Sequence, residues 1–254
     1  MSFHGWGVVL TGAGRGMGAE AARRFAKEGA RVVVSDIDVA AAAQVAGAIG
    51  PMACAVPCDV ASPADCATLV EQAERFFGAP IDVFMANAGL SFAGDFLQAD
   101  PEQLRRVVDV NVSGSIFSAQ AALRSLVKSP RASLIFTSSI SGVTGRAQRS
   151  VYNASKHAIG GLVKALALEF GPRGVRVNAI APGPTNTEFL RSHLAKVNGD
   201  VDAALDRLVQ GLPLGRLVEP ADFADAAVYL ASPLARAVTG HTLMLDCGST
   251  AGRM

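Results

Sequence analysis

The chain has 254 residues, half of them hydrophobic and 18% charged, which excludes intrinsic disorder, a condition that needs low hydrophobicity and high net charge. Lysine and arginine (23) offset aspartate and glutamate (22) to a formal net charge of +1, without the basic stripe on which nucleic-acid binding depends. No 18 apolar residues run together, and the most apolar helical stretch, Ala158 to Phe170, is interrupted by Lys164 and Glu169, so no membrane-spanning helix is expected. The first seven residues lack the charged and apolar regions of a signal peptide. The four cysteines, Cys54, Cys58, Cys66 and Cys247, form no CxxC pair. The expectation is a cytoplasmic protein with reduced thiols.

A buried strand is predicted over Gly7 to Thr11, then a glycine-rich turn and a helix from Glu20 to Glu28 that Gly29 stops. Arg31 to Ser35 reads as a second strand, Val39 to Ile49 as a helix, and Met52 to Val56 as a weak strand. Ser62, Pro63 and Asp65 supply a cap, a first-turn proline and a capping-box acid for a helix reaching about Phe77. Ile81 to Ala86 is a fourth strand, and Asp100-Pro101 opens a long helix that ends near Lys128. Ser133 to Thr137 is a fifth strand, Ser150 to Phe170 a helix stopped by Gly171-Pro172, and Val175 to Ala181 a sixth strand. A longer mixed segment runs from Pro184 to Leu217, Glu219-Pro220 opens another helix, and Thr242 to Leu245 is a last short strand. Near-continuous apolar strands separated by helices predict an α/β fold: a doubly wound, Rossmann-type parallel sheet of about seven strands, covered by helices on both faces. No linker, charge run or repeat divides the chain, so one domain is expected.

After the first strand stands Thr11-Gly12-Ala13-Gly14-Arg15-Gly16-Met17-Gly18. Between a strand and a helix, such a turn lets backbone N–H groups approach a pyrophosphate, and the helix N-terminus adds a favourable dipole. A glycine turn also serves plain helix–strand packing. Asp36 separates the two readings. It ends the second strand, 18 residues past Gly18, where a carboxylate accepts hydrogen bonds from a ribose hydroxyl pair and repels a 2′-phosphate. Arg15 pulls the other way, toward a 2′-phosphate. Asp36 outweighs it, because a carboxylate held against a phosphate dianion costs more than a flexible arginine gains. Arg15, Met17 and Ile37 are counted with Gly12, Gly16, Gly18 and Asp36 as cofactor-binding residues.

Tyr152 and Lys156 are four apart in a predicted helix and share a face. A free tyrosine has a pKa near ~10, and an ammonium about 4–6 Å away favours the phenolate. Bringing that pKa to about 7–8 takes roughly 3–4 kcal/mol of differential stabilisation and suits general acid–base work. Ser139, just after the fifth strand, is placed to orient a carbonyl or alcohol beside the phenol. A Tyr-x-x-x-Lys pair alone is usually structural. Here one of only two tyrosines stands four before a lysine and thirteen after a strand-ending serine, downstream of a dinucleotide turn, and that conjunction favours chemistry.

With these residues in place the chain resembles the short-chain dehydrogenase/reductase family, in its single-domain form, over essentially its whole length. The motifs are Thr11-Gly12-x-x-x-Gly16-x-Gly18, Asp59-Val60, Asn87-Ala88-Gly89, Asn111, Ser139, Tyr152-x-x-x-Lys156, and Pro182-Gly183 followed by Thr187. The resemblance implies strand order 3-2-1-4-5-6-7. It implies that Asp59 and Val60 contact adenine, that Asn87 steadies the sheet centre, and that Ala88-Gly89 line the cofactor cleft. Ser139 would polarise the substrate oxygen, Tyr152 would exchange its proton, and Lys156 would hold the nicotinamide ribose and lower the tyrosine pKa. Asn111 would anchor a water that continues a proton relay. Pro182-Gly183 and Thr187 would seat the nicotinamide carboxamide. Taken singly, Asn87-Ala88-Gly89 also reads as a strand-ending turn, Asn111 as a solvated helix residue and Pro182-Gly183 as a plain loop. Thr185 departs from the family's usual Val or Ile, adding a hydroxyl to a backbone contact, and Cys247 stands where a glycine is common.

The resemblance therefore implies an NAD-dependent oxidoreductase moving a hydride between a small-molecule secondary alcohol, or its ketone, and the cofactor, with no nucleic-acid or membrane partner. It implies a homotetramer or homodimer through the helices carrying Asn111 and Tyr152 and the C-terminal edge. One rival is a 3-oxoacyl-carrier-protein reductase using NADPH, for which Arg131, Arg149 and Arg173 are candidate carrier contacts. Another is a nucleotide-binding sensor without turnover. Substrate walls are expected from Leu90 to Phe92, Ile140 to Ser150 and Thr185 to Leu214, the last mixing Phe189, Leu190, Leu194 and Val197 with Glu188, Arg191 and Lys196. Arg146 and Arg149 read either as ligands for an anionic substrate group or as solvated loop residues. His4, His157, His193 and His241 have no metal spacing, and no catalytic metal is expected.

Overall fold

The computed structural model describes residues 2–188, 190–191, 194–195 and 200–252. Phe189, His193, Lys196 and Val197, named above, lie outside the described residues. Seven strands form one parallel sheet: β1 (Gly7–Leu10), β2 (Arg31–Asp36), β3 (Ala53–Pro57), β4 (Val83–Ala86), β5 (Ser133–Thr137), β6 (Arg176–Pro182) and β7 (Thr242–Leu245). Their order is β3-β2-β1-β4-β5-β6-β7, as the resemblance implies. The register pairs Val9 with Val33 on one side and with Phe84 on the other.

Alternate side chains of each strand enter opposite cores. Val8, Leu10, Val32 and Val34 face one cluster with Phe25 and Phe223, while Val9, Val33, Phe84 and Leu134 face another with Leu69 and Leu126. These strands read as unbroken apolar runs because both faces are covered. Each fully buried Val, Leu or Phe there contributes about 1.5–3 kcal/mol by area removed from water. Helices with described bounds include α1 (Gly16–Lys27), α2 (Val39–Ile49), α3 (Pro63–Phe77), α4 (Pro101–Val108), α5 (Gly114–Leu126), α6 (Ser150–Phe170), α7 (Val201–Gln210) and α8 (Pro220–Ala231). Ser62 caps α3 by accepting from Asp65 N at 3.2 Å, and Asp100 caps α4 by accepting from Glu102 N at 3.1 Å.

Two expectations are corrected. Helix α1 begins at Gly16, a turn earlier than Glu20, because the glycines that open the turn also form the first helical residues. The long helix expected from Asp100 to Lys128 is α4 and α5 joined by a π bulge at Asp109–Ser113. One extra residue per turn re-aims a side chain, a device common near functional sites, and the bulge carries Asn111. Every turn leaving the carboxyl end of a strand in the sheet's middle opens toward one side of the molecule, and the cleft lies there.

Candidate active site

A cleft of about 700 Å³ runs across the carboxyl ends of the strands. Its wall includes Gly12, Arg15, Gly16, Met17, Gly18, Asp36, Ile37, Asp59, Val60, Asn87, Ala88 and Gly89 at one end, and Ser139, Tyr152, Lys156, Pro182, Gly183, Thr185 and Thr187 at the other. The sequence-selected residues thus share one wall, with the exception of Asn111.

The turn after β1 is tight by necessity. At Gly12, φ is +61° and a Cβ would lie 2.7 Å from Ala88 Cα. At Gly18 a Cβ would lie 2.4 Å from Gly12 O and 2.7 Å from Asn87 Nδ2. No side chain fits either place. Asn87 holds the turn from below: Nδ2 donates to Thr11 O at 3.0 Å and Gly12 O at 2.9 Å, while Oδ1 accepts from Thr137 Oγ1 at 2.9 Å. The result ties the ends of β1, β4 and β5 together.

Asp36 is fixed by two backbone amides, Gly14 N to Oδ2 at 2.9 Å and Asp38 N to Oδ1 at 3.0 Å. Arg15, the residue that favoured a 2′-phosphate, forms an ion pair with Asp38. Asp59 Oδ2 accepts from Arg106 Nη2 at 3.1 Å. Sequence reading missed Arg106, which comes from α4, 47 residues away. It also missed Cys58, Val110, Thr137 and Ser138 on the wall. Only the three-dimensional meeting of strand ends and α4 reveals them.

At the other end, Ser139 caps a short turn, its Oγ accepting from Ser141 N at 3.2 Å. Tyr152 sits in the first turn of α6, where the positive end of the helix dipole favours a phenolate. Lys156 is 5% exposed, and its Nζ donates to Thr137 O at 2.8 Å. Burial pushes the Lys156 ammonium down to about 8. Its Nζ stands 5.9 Å from the Tyr152 ring centroid.

The expectation that the Tyr152 pKa lies below its ordinary value is corrected. Burial pushes the phenol up, and what pulls it back is a hydrogen bond with Ser139 and the charge of Arg149. The physical reason is that desolvation penalises phenolate and ammonium alike. Arg149 lies 6.0 Å over the Tyr152 ring. Asn111 is buried behind the wall: Oδ1 accepts from Leu90 N at 2.7 Å, and Nδ2 donates to Leu90 O at 2.8 Å and Ser155 Oγ at 3.0 Å. The point where a side chain at Gly89 would begin is 3.3 Å from Asn111 Oδ1 and 3.5 Å from Lys156 Nζ, so glycine leaves the two facing across open space.

The Thr185 hydroxyl donates to Gly183 O at 3.0 Å, so it is already committed within the loop. Cys247 has φ +52°, a left-handed conformation that accounts for glycine being common at its place. Of the expected substrate walls, Leu90, Ile140, Ser141, Arg146, Arg149, Glu188, Leu190, Leu194 and Leu208 line the cleft; Ser91 and Phe92 do not. Arg131 and Arg173 precede β5 and β6, at the end of the sheet opposite this cleft, so of the three arginines assigned to carrier docking only Arg149 faces it. Among the described residues no cluster of His, Cys, Asp or Glu could hold a metal ion, and no helix is long and apolar enough to cross a membrane.

The glycine cradle and the Asp36 carboxylate fit a dinucleotide: the first has backbone where any Cβ would collide, and the second is an acceptor already oriented. Comparisons with known proteins agree. A family model described as enoyl-(acyl carrier protein) reductase matches residues 12–250. The chain is 37% identical to an L-rhamnose 1-dehydrogenase (NAD(P)(+)) of Azotobacter vinelandii over 249 residues, 95% of each chain. It is 34% identical to a meso-2,3-butanediol dehydrogenase of Serratia marcescens, covering 99% of this chain and 97% of the other. A crystal structure of a 3-ketoacyl-(acyl-carrier-protein) reductase from Brucella melitensis complexed with NADH superposes with a TM-score of 0.89 at 33% identity, covering 98% of this chain and 100% of that one.

Proposed function

The chain belongs to the short-chain dehydrogenase/reductase family of nicotinamide-dependent oxidoreductases, and we propose that it moves a hydride reversibly between NAD and a secondary alcohol or its ketone. The observation that carries this reading is the placing of Ser139, Tyr152 and Lys156 on the same cleft wall as the glycine cradle and Asp36. In this reading Gly12, Arg15, Gly16, Met17 and Gly18 hold the pyrophosphate, Asp36 and Ile37 the adenosine ribose, and Asp59 and Val60 the adenine. Pro182, Gly183, Thr185 and Thr187 seat the carboxamide. Asn87, Ala88 and Gly89 form the floor.

The bound nicotinamide supplies the hydride-exchanging carbon and, when oxidised, a positive charge. Ser139 donates to the substrate oxygen and orients it toward the phenol. Tyr152 takes the hydroxyl proton in oxidation and returns one in reduction, with the Ser139 hydrogen bond and the Arg149 charge favouring its anion. Lys156 holds the ribose hydroxyls and, with Asn111 across the Gly89 gap, carries the proton onward through a water. Two features support NAD over NADP. Asp36 would face a 2′-phosphate with a fixed carboxylate, and Arg15 is engaged by Asp38. The same reading has a single domain working in the cytoplasm as a homotetramer or homodimer. Exposed Ile116 on α5 and Leu168 on α6 suit contacts between copies.

The test is label transfer. The protein is incubated with NAD and secondary alcohols carrying deuterium on the carbinol carbon, and the cofactor is analysed by mass spectrometry. Deuterium in the reduced cofactor is expected for at least one alcohol. No label from a panel of polyols, cyclic diols, hydroxysteroids and hydroxy acids would reject the reading.

A further inference from the structure

We propose that the substrate carries a carboxylate, and that Arg146 and Arg149 are the residues that select it. This rests on the oxidoreductase reading above and names the substrate class for the same cleft.

Both arginines line the cleft beside Ser139 and Tyr152. Arg149 is half-buried, immediately before α6, with its guanidinium carbon 6.0 Å over the Tyr152 ring. The loop bearing them is anchored rather than loose. Asn153 Nδ2 contacts Arg146 O at 3.5 Å, and Gly94 N donates to Gln148 O at 2.9 Å. Gln148, between the two arginines, holds φ +62°, a conformation that costs a non-glycine residue free energy and persists where surroundings impose it. Burial and the Arg146 charge both push the Arg149 guanidinium down, so the two cations act on each other in a partly desolvated place.

The charge balance of the described wall at this end is one-sided. Among the described residues that line this end, Arg146, Arg149 and Lys156 are cationic and Glu188 is anionic, while Asp36 and Asp59 lie toward the glycine turn. Such a concentration of positive charge raises the local concentration of anions and favours their binding. A guanidinium fork matches a carboxylate in two parallel hydrogen bonds, where a lysine offers only a point charge. The apolar remainder, Leu90, Ile140, Leu190, Leu194 and Leu208, suits a short hydrocarbon body between the carbinol at Tyr152 and the acid at the arginines. The substrate class is accordingly a hydroxy acid or keto acid.

The experiment uses the NADH complex of the full chain and isothermal titration with matched pairs: short carboxylates (propanoate, butanoate, pentanoate) against their neutral amides. The acid is expected to bind at least tenfold more tightly than its amide. That preference should fall to less than threefold in Arg149→Gln and in Arg146→Gln, and remain partial in Arg149→Lys, which keeps the charge without the fork. Arg146 is exposed, so its variant tests the proposal even if Arg149→Gln fails to fold. Equal binding of acid and amide by the wild type, or a preference untouched by both substitutions, overturns it. Tyr152→Phe separates the two readings: it should lose turnover and keep the preference for the acid. An intact preference with no label transfer from any alcohol would fail the oxidoreductase reading alone, and label transfer without the preference would fail this one.

Discussion

At the Asp36 end of the cleft the charges are already matched. Asp36 accepts two backbone amides, Arg15 pairs with Asp38, and Asp59 with Arg106. At the Tyr152 end the charges are set against burial and against one another. Lys156 is sealed in, its ammonium donating to the neutral Thr137 carbonyl, the Tyr152 phenol is desolvated, and Arg149 feels Arg146. The first arrangement lets a ligand bind to a surface that does not need to rearrange. The second holds electrostatic free energy that, in the proposed reaction, an anionic substrate and a developing oxyanion would relieve, which is how a site favours the reacting state over the resting one.

Lys156→Met puts that contrast to its hardest trial. Folded Lys156 titrates at about 8 against an ordinary 10.5, so the unfolded chain binds more protons between those values and stability rises with pH across that window. Below pH 8 both states are charged and the folded one bears the full desolvation cost, on the order of 3 kcal/mol. Removing the ammonium relieves it, while leaving Thr137 O unbonded costs about 1–2 kcal/mol. The variant should therefore lose at least about 100-fold in kcat yet unfold at higher urea than the wild type at pH 7. Its advantage should shrink between pH 8 and 10. A variant destabilised at pH 7 would show that the end is not strained.

Asp36→Ala sharpens the other half. Losing a charged acceptor for the ribose is worth about 1.5–3 kcal/mol, so the ratio of kcat/KM for NAD over NADP should drop by about 10–100-fold. An unchanged ratio would remove Asp36 from cofactor choice. Arg106→Ala gives the smallest effect. The Asp59 pair is partly exposed, and exposed pairs are worth about 0.2–1 kcal/mol, so affinity for NADH should change by less than about fivefold. A larger loss, measured by NADH fluorescence titration, would make Arg106 a direct contact.

The sheet is readable because its central strands are buried on both faces and therefore continuously apolar; the predicted bounds of β5 and β7 match residue for residue, and the others match within about two. Helix starts marked by Ser62-Pro63 and Asp100-Pro101 were equally plain. The π bulge is not, since nothing in the spacing of apolar residues around Asn111 signals an extra residue; in the structure it accompanies the bonds Asn111 makes to Leu90. At the site, glycines and the Tyr-x-x-x-Lys spacing were legible because local backbone geometry demands them. The pairing of Arg106 with Asp59 and of Arg15 with Asp38, and the action of Arg149 on the phenol, depend on which loops meet across strand ends. Sequence spacing carries no record of that. The direction of the Tyr152 shift is not legible for a related reason: separation along a helix gives the distance to a cation but not the burial that opposes both charges.

The central claim is that the Tyr152 phenol exchanges the substrate proton. Its most direct test is Tyr152→Phe, with NADH binding measured by fluorescence and turnover measured on any alcohol that passes label to the cofactor. Binding within about threefold of wild type and kcat lower by about 10²–10⁴-fold are predicted; turnover within tenfold of wild type would contradict the account.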